Sequence, residues 1–363
     1  MKICFIGPAN SSHIVKWCKW FTDKGHEVHV ISFSNGIIPD VYVHDLSLSV
    51  NPNDSDFKKI KYLTSGRRIR KIVEMINPDI INVHYATSYG IAVSLSGLDN
   101  YILSVWGADV YDFPQKSIFH KAMLKHSLKK AKHLFSTSNA MANEASRYTN
   151  KPFVITPFGV DMELFNPNKR NRNADGEFIV GTVKGLSDKY GIADIIQAVA
   201  YIKENNNIPI KLRIAGKGPQ EQEYRNLVNR LGIEDITTWL GYISPEEAAI
   251  EWANMDVAII PSTLNSESFG VSAVEAQASG TAVIITDIPG LMEATEPGVS
   301  SVVVHRNNPN EIADRLSDLF DSKTRSYYSK NGLEYVRAHY ELNTCFTNIE
   351  NFYYSILTGE TEK

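Results

Sequence analysis

Residues 261–293 read PSTLNSESFGVSAVEAQASGTAVIITDIPGLME. Two glutamates, Glu267 and Glu275, stand on either side of the pair Phe269-Gly270. Small apolar residues at Ala273, Val274, Ala276 and Ala278 predict a short helix, Gly280 is placed to end it, and 281–286 is an apolar run of strand length. Glu267 then falls in the loop before the helix. Ser268, Phe269, Gly270 and Val271 supply the amides that a helix start leaves without intrahelical partners. Those amides and the positive end of the helix dipole favour an anion. Glu275 lies about five residues into the helix, roughly 7 Å from its start at ~1.5 Å per residue. Loop, helix and strand in this order make one repeat of an α/β sheet.

The same alternation extends outward through the chain. In the first half, strands are predicted at 3–6, 28–33, 80–84, 101–105 and 134–137, with helices at 14–22, 69–76, 89–95 and 117–132. A polar stretch, NPNKRNRNADG at 166–176, is the linker candidate. Beyond it strands are predicted at 178–183, 210–215, 237–240 and 257–260, and helices at 192–203, 220–231 and 248–254. The stretch 338–357 is aromatic-rich and predicted helical. Two doubly wound parallel sheets follow, a first domain over 1–165 and a second over 166–339, with ligands expected in the cleft where two such halves meet.

Composition narrows the class. With 363 residues, 43% of them apolar and 21% charged, the chain can bury two ordinary cores and does not read as disordered. No run reaches the roughly 18 apolar residues of a spanning helix. The opening MKICFI is too short for a signal-peptide core, so a cytosolic protein is expected. Cys4, Cys18 and Cys345 are scattered, with neither a disulfide framework nor zinc spacing. Residues 1–175 carry 22 Lys and Arg against 15 Asp and Glu, so the first half is basic and the remainder acidic. The basic residues cluster at Lys58, Lys59, Lys61, Arg67, Arg68, Arg70 and Lys71, and again at Lys121, Lys125, Lys129, Lys130 and Lys132. An anionic partner is expected for that half. No nucleic-acid recognition motif accompanies the charge, and none is expected to bind. The loop 7–13, GPANSSH, holds one glycine, which speaks against a dinucleotide fingerprint and an NAD-linked dehydrogenase.

The string around Glu267 and Glu275 closely resembles the donor-binding signature of glycosyltransferase family 4, the retaining enzymes of the GT-B fold. That family places two glutamates, with seven residues between them, around a Phe-Gly pair. Four further stretches carry the resemblance over most of 157–305. The strand 178–183 is followed by Lys184 and Lys189, at the spacing of the family's Arg-x4-Lys, with lysine in place of arginine and Tyr190 interposed before Gly191. LRIAGKGPQ at 212–220 is a strand with a glycine-rich turn. LGYISP at 240–245 resembles the loop whose backbone reads the nucleotide base, which brings in Tyr242 and Ile243, although Tyr242 reads equally well as a surface aromatic. PFGVDMELF at 157–165 resembles the family's hinge-proximal segment.

The resemblance implies two Rossmann-like domains of the GT-B fold, with the last helix, about 340–363, packing back on the first. It implies that Lys184 and Lys189 hold a diphosphate, that the amides at Phe269, Gly270 and Val271 receive its oxygens, that Glu275 takes the ribose and Glu267 the sugar. Lysine offers a point charge without arginine's bidentate fork. In the first half, Asn10, Ser11 and His13 lie in the loop that contacts donor phosphate and acceptor in the family. Trp106 stands where many members carry a histidine, so an acid or base role does not transfer, while stacking on a sugar ring does. Asp109 reads as an acceptor-orienting carboxylate or as a turn-stabilising one. His84, at the end of a strand, divides between site and structure.

The expected function is metal-independent, retaining transfer of a sugar, with no cofactor, from a nucleotide-diphosphate sugar, a UDP-sugar being the expected donor. The acceptor is a glycan or lipid-linked molecule, in bacterial surface polysaccharide or glycoconjugate synthesis. The basic helix at 117–132 suits contact with an anionic membrane, at the inner face of the cell membrane, or a solvated face on a packed helix. Two alternatives stand at this point: a non-catalytic GT-B partner subunit, and another GT-B nucleotide-sugar enzyme such as an epimerase or a phosphorylase.

Overall fold

In the computed structural model, which describes residues 1–48, 61–171, 176–205 and 208–360, every strand lies in one of two parallel sheets. The chain forms two compact units, Met1–Pro157 with Phe346–Lys363, and Phe158–Cys345. Lys58, Lys59 and part of the stretch read as a linker, 172–175, lie outside the described residues.

The first unit holds seven strands: β1 (Lys2–Ile6), β2 (Glu27–Ser32), β3 (Tyr42–Asp45), β4 (Ile80–His84), β5 (Ile102–Val105), β6 (His133–Ser136) and β7 (Phe153–Ile155). Their order is β3-β2-β1-β4-β5-β6-β7, so the winding reverses between β1 and β4. Parallel strands covered on both faces read as continuous apolar runs, and Cys4, Ile6, Ile31, Val83, Leu103 and Leu134 supply the core. The sequence pattern passes over the two edge strands because β3 reads Tyr-Val-His-Asp, with little apolar signal, and β7 is only three residues long.

The second unit is built from β8 (Phe178–Val183), β9 (Ile210–Ala215), β10 (Thr237–Gly241), β11 (Val257–Ile260), β12 (Ala282–Thr286) and β13 (Val302–Val304), in the order β10-β9-β8-β11-β12-β13. All of β11 and β12 is buried. Val180, Leu212, Ile214, Val257, Ile259 and Ile284 form the core, each worth about 1.5–3 kcal/mol of burial. Here the winding reverses between β8 and β11. Ligands of open α/β sheets bind beyond the carboxyl ends of strands at such a reversal.

The stretch 338–357 is not one helix. Ser322–His339 ends and Leu342–Thr358 begins, because the Tyr340 carbonyl accepts from the Val160 amide and the Tyr340 hydroxyl donates to the Glu293 carbonyl at 2.7 Å. Glu341 then accepts from the amides of Asn343 and Thr344, starting the new helix. Within the first unit, Phe346 is buried against Trp17, Trp20 and Phe21. Tyr353 stacks on Phe21 and accepts a hydrogen bond from Asn82 at 2.7 Å.

Candidate active site

In the second unit, Lys184 is the first residue after β8, and Ser262 and Glu267 lie on the loop after β11. The two loops therefore leave the sheet side by side at the point of reversal. Lys184 Nζ meets Glu267 Oε2 at 2.7 Å, and the side chains are 9% and 10% exposed. Ser262 Oγ donates to the same oxygen at 3.3 Å. Tyr190 adds an aromatic face: Lys184 Nζ and Lys189 Nζ each lie 4.7 Å from its ring centroid. The turn bearing Lys189 is held to the β11 loop, since the Thr263 amide donates to the Lys189 carbonyl at 2.8 Å. Two cations, a carboxylate and a phenol thus gather at one strand reversal.

The helix Val271–Ala278 starts at the same place. Gly270 caps it in the left-handed region at φ 76°, where a Cβ would come within 2.7 Å of Leu291. Intrahelical bonding begins with Ala273 and Val274, both donating to the Gly270 carbonyl, so the preceding amides face outward from the helix start. Ser272 Oγ donates to the Val183 carbonyl at 3.1 Å, pinning the first turn to the end of β8. The Phe269 side chain is buried against Phe158 and Tyr340, and only its backbone is available to a ligand. Ser268 is buried, and Glu275 is half-buried one turn into the helix.

The glycine-rich turn after β9 earns its glycine at Gly216. That residue has φ 134°, and a Cβ there would lie 1.8 Å from the Lys184 carbonyl oxygen. Only glycine lets the β9 turn pass this close to Lys184. Gly216 also donates to the Gly241 carbonyl at 2.6 Å, joining it to the loop that holds Tyr242 and Ile243. Tyr242 is 77% exposed and Ile243 half-buried.

In the first unit, the predicted residues divide sharply. Asn10 is exposed, and Ser11 is the N-cap of the helix Ser12–Asp23 without a side-chain cap bond. His13 meets Trp106 edge-on at 5.5 Å, and both are half-buried. Burial, with Lys16 nearby, pushes the His13 imidazole down to about 4. His84 is fully buried among Phe5, Trp17 and Trp106, with neither ring nitrogen hydrogen-bonded, and burial together with His13 pushes it down to about 3. Both imidazoles are neutral at neutral pH, and His84 has no surface from which to touch a substrate.

Asp109 is likewise fully buried. Its carboxylate accepts from the amides of Ala86 at 2.8 Å, Gly107 at 2.8 Å and Trp106 at 3.1 Å. Burial raises its pKa even against those bonds. An acceptor-orienting role fails for a physical reason: both oxygens are turned inward, tying the loops after β4 and β5 together. The helix Ile118–Lys130 also differs from its amphipathic reading. Leu124 and Leu128 are buried, whereas Ile118 and Phe119 are 84% and 80% exposed beside exposed Lys121 and Lys125.

Sequence reasoning missed Ser262, and it met Tyr190 only as an interruption of the lysine spacing. It also missed Arg306, which binds Asp287 and Asn265 at 3.0 Å each and so braces the loop leading to Glu267. Ser262 and Tyr190 lie inside the stretches that carry the family resemblance, but only the folded contacts single them out, and Arg306 lies outside every such stretch.

Comparison with known proteins covers both units. The family model described as Glycosyl transferases group 1 matches residues 165–335, and that described as Glycosyl transferase 4-like matches residues 2–138. The chain belongs to the group 1, family 4 glycosyltransferases. An uncharacterized glycosyltransferase of Methanocaldococcus jannaschii is 24% identical over 342 residues, 91% of this chain and 90% of that protein. A second from the same organism is 31% identical over 207 residues, 55% of this chain and only 52% of its own length. Among solved structures, sucrose-phosphate synthase of Thermosynechococcus elongatus superposes with a TM-score of 0.85 at 18% identity, covering 99% of this chain and all of that one. HepE of Anabaena in complex with UDP gives 0.79 at 16% identity, covering 98% and 100%. The fold of this glycosyltransferase is accordingly GT-B, with one Rossmann-like sheet in each unit. Among the described residues, no helix is long and apolar enough to cross a membrane.

Proposed function

We propose that this chain transfers a sugar from a nucleotide-diphosphate sugar, with retention at the anomeric carbon and without a metal. The observation that carries the reading is the pairing of Lys184 with Glu267 at the β8–β11 reversal, beside Lys189 and the start of the helix Val271–Ala278. Two lysines and outward-facing amides offset the charge of a diphosphate and the further charge that builds as it leaves. Glu275, one turn on, takes the ribose diol, Glu267 the sugar hydroxyls, and the loop with Tyr242 and Ile243 the base. In the reaction the anomeric C–O bond to the diphosphate breaks. The acceptor hydroxyl attacks from that same face, and its proton passes to the departing phosphate oxygen.

A UDP-sugar is the donor we favour, in line with the UDP bound by HepE. We assign a glycan or lipid-linked acceptor to the first unit, at the loop of Asn10, Ser11 and His13 and at Trp106, in synthesis of bacterial surface polysaccharide or glycoconjugate. Exposed Ile118 and Phe119, beside Lys121 and Lys125, suit reversible contact with an anionic bilayer. Vesicle sedimentation checks that contact: preferential binding to anionic lipid is expected, and equal partitioning into neutral vesicles opposes it. The donor itself is tested by thermal shift with UDP-, GDP- and ADP-sugars, since a ligand that binds only the native state raises its melting temperature. A rise with UDP-sugars is expected, and no rise with any of the three contradicts the reading.

A further inference from the structure

Tyr190 closes the short turn Asp188–Tyr190, with its amide donating to the Ser187 carbonyl and left-handed Gly191 following at φ 64°. Its ring packs on the apolar core of the second unit and against the backbone of Gly185, where a Cβ would lie 3.1 Å from the ring. The ring is thus held from below, and both lysine ammonium groups lie within the roughly 6 Å over which an aromatic face attracts a cation. Lys184 has Glu267 as a second partner, while among the described residues Lys189 is paired with no carboxylate. Burial raises the phenol's pKa, with Lys184 opposing and Glu267 adding to the rise, so the ring is a neutral platform at neutral pH.

A lysine on a flexible stem does not fix its charge as arginine's planar fork does. We propose that Tyr190 is a positioning residue, holding the Lys184 and Lys189 ammonium groups where a donor's diphosphate meets both. This rests on the donor-site reading above. The ring restrains two flexible cations before the ligand arrives, so less of their freedom is lost on binding. Its effect is therefore confined to ligands that carry the second phosphate.

The test compares Tyr190→Phe, Tyr190→Met and Tyr190→Leu by titration calorimetry. The probes are whichever of UDP, GDP and ADP the wild type binds most tightly, and the matching monophosphate. Tyr190→Phe keeps the ring and should bind the diphosphate within about twofold of wild type. Tyr190→Met and Tyr190→Leu should lose roughly tenfold for the diphosphate and less than about threefold for the monophosphate. If one of these two fails to fold, the other carries the comparison. Unchanged diphosphate affinity in the folded variants overturns the proposal. Equal loss of diphosphate and monophosphate also overturns it, since the ring would then only support the loop. A wild type that binds none of the three diphosphates removes the donor reading, and this inference with it.

Discussion

The Lys184 ammonium lies 2.7 Å from a Glu267 carboxylate oxygen, joining the residue that follows β8 to the loop that follows β11. Both side chains are about nine-tenths buried, so each depends on the other for compensation of its charge. On the proposed function, a donor diphosphate would compete with Glu267 for Lys184 and displace the carboxylate proposed to take the sugar. Diphosphate binding and sugar recognition would then be coupled through this one contact.

Removing either partner should therefore cost stability as well as activity. Lys184→Met and Glu267→Gln should each lower the free energy of unfolding in urea. The double variant should lose less than the sum of the two, by about 1–3 kcal/mol. Strict additivity would mean that the pair is not coupled in solution.

Lys189 has no carboxylate partner among the described residues and packs on a ring face, so its loss should spare the fold. Lys189→Ala should stay within about 0.5 kcal/mol of wild type in unfolding. Sugar transfer should fall about a hundredfold. Near-normal turnover in this variant would leave the lysine out of the chemistry.

Asp109 should behave in the opposite way. Its oxygens satisfy the amides of Ala86, Trp106 and Gly107, and Asp109→Ala leaves those donors buried without partners. Unfolding should become easier by about 2–3 kcal/mol. A stable variant with altered acceptor affinity would instead restore the acceptor-orienting role.

His84 sets a pH dependence of stability. Its folded pKa is lowered to about 3, below the ordinary histidine value, so between those two values the unfolded chain binds a proton that the folded chain excludes. Its contribution is complete above about pH 6.5 and declines as pH falls toward the folded value. His13, lowered to about 4, acts in the same direction. Melting temperature should drop from pH 6.5 toward pH 4, and His84→Leu should flatten that drop by roughly one proton's worth of slope. An unchanged slope would place another group at its origin.

Much of the second unit was legible because its site residues are placed by local order along the chain. Loop, helix start and strand follow one another within 261–286, so the outward amides and Glu275 could be placed from spacing alone. The Lys184–Glu267 contact was not legible, since the two are 83 residues apart and only the winding order β8–β11 brings them together. The burial of His84 and Asp109 was not legible for a related reason. His84 ends β4 and Asp109 lies in the short helix Ala108–Tyr111 just after β5, places where such sheets often carry site residues, and the turning of both side chains inward leaves no mark on the sequence. Ile118 and Phe119 carry the reverse lesson, as apolar residues at helical spacing that the fold leaves outside.

Donor cleavage by the purified protein reads the proposed transfer at the bond that breaks first. Wild type, Glu267→Gln and Lys189→Ala would be incubated with UDP-, GDP- and ADP-sugars, and release of the nucleoside diphosphate measured beside circular dichroism of each protein. Wild type should release it from one class of donor, and both variants about a hundredfold less with their folds intact. Equal release by all three proteins, or release by none, would contradict the proposed transfer.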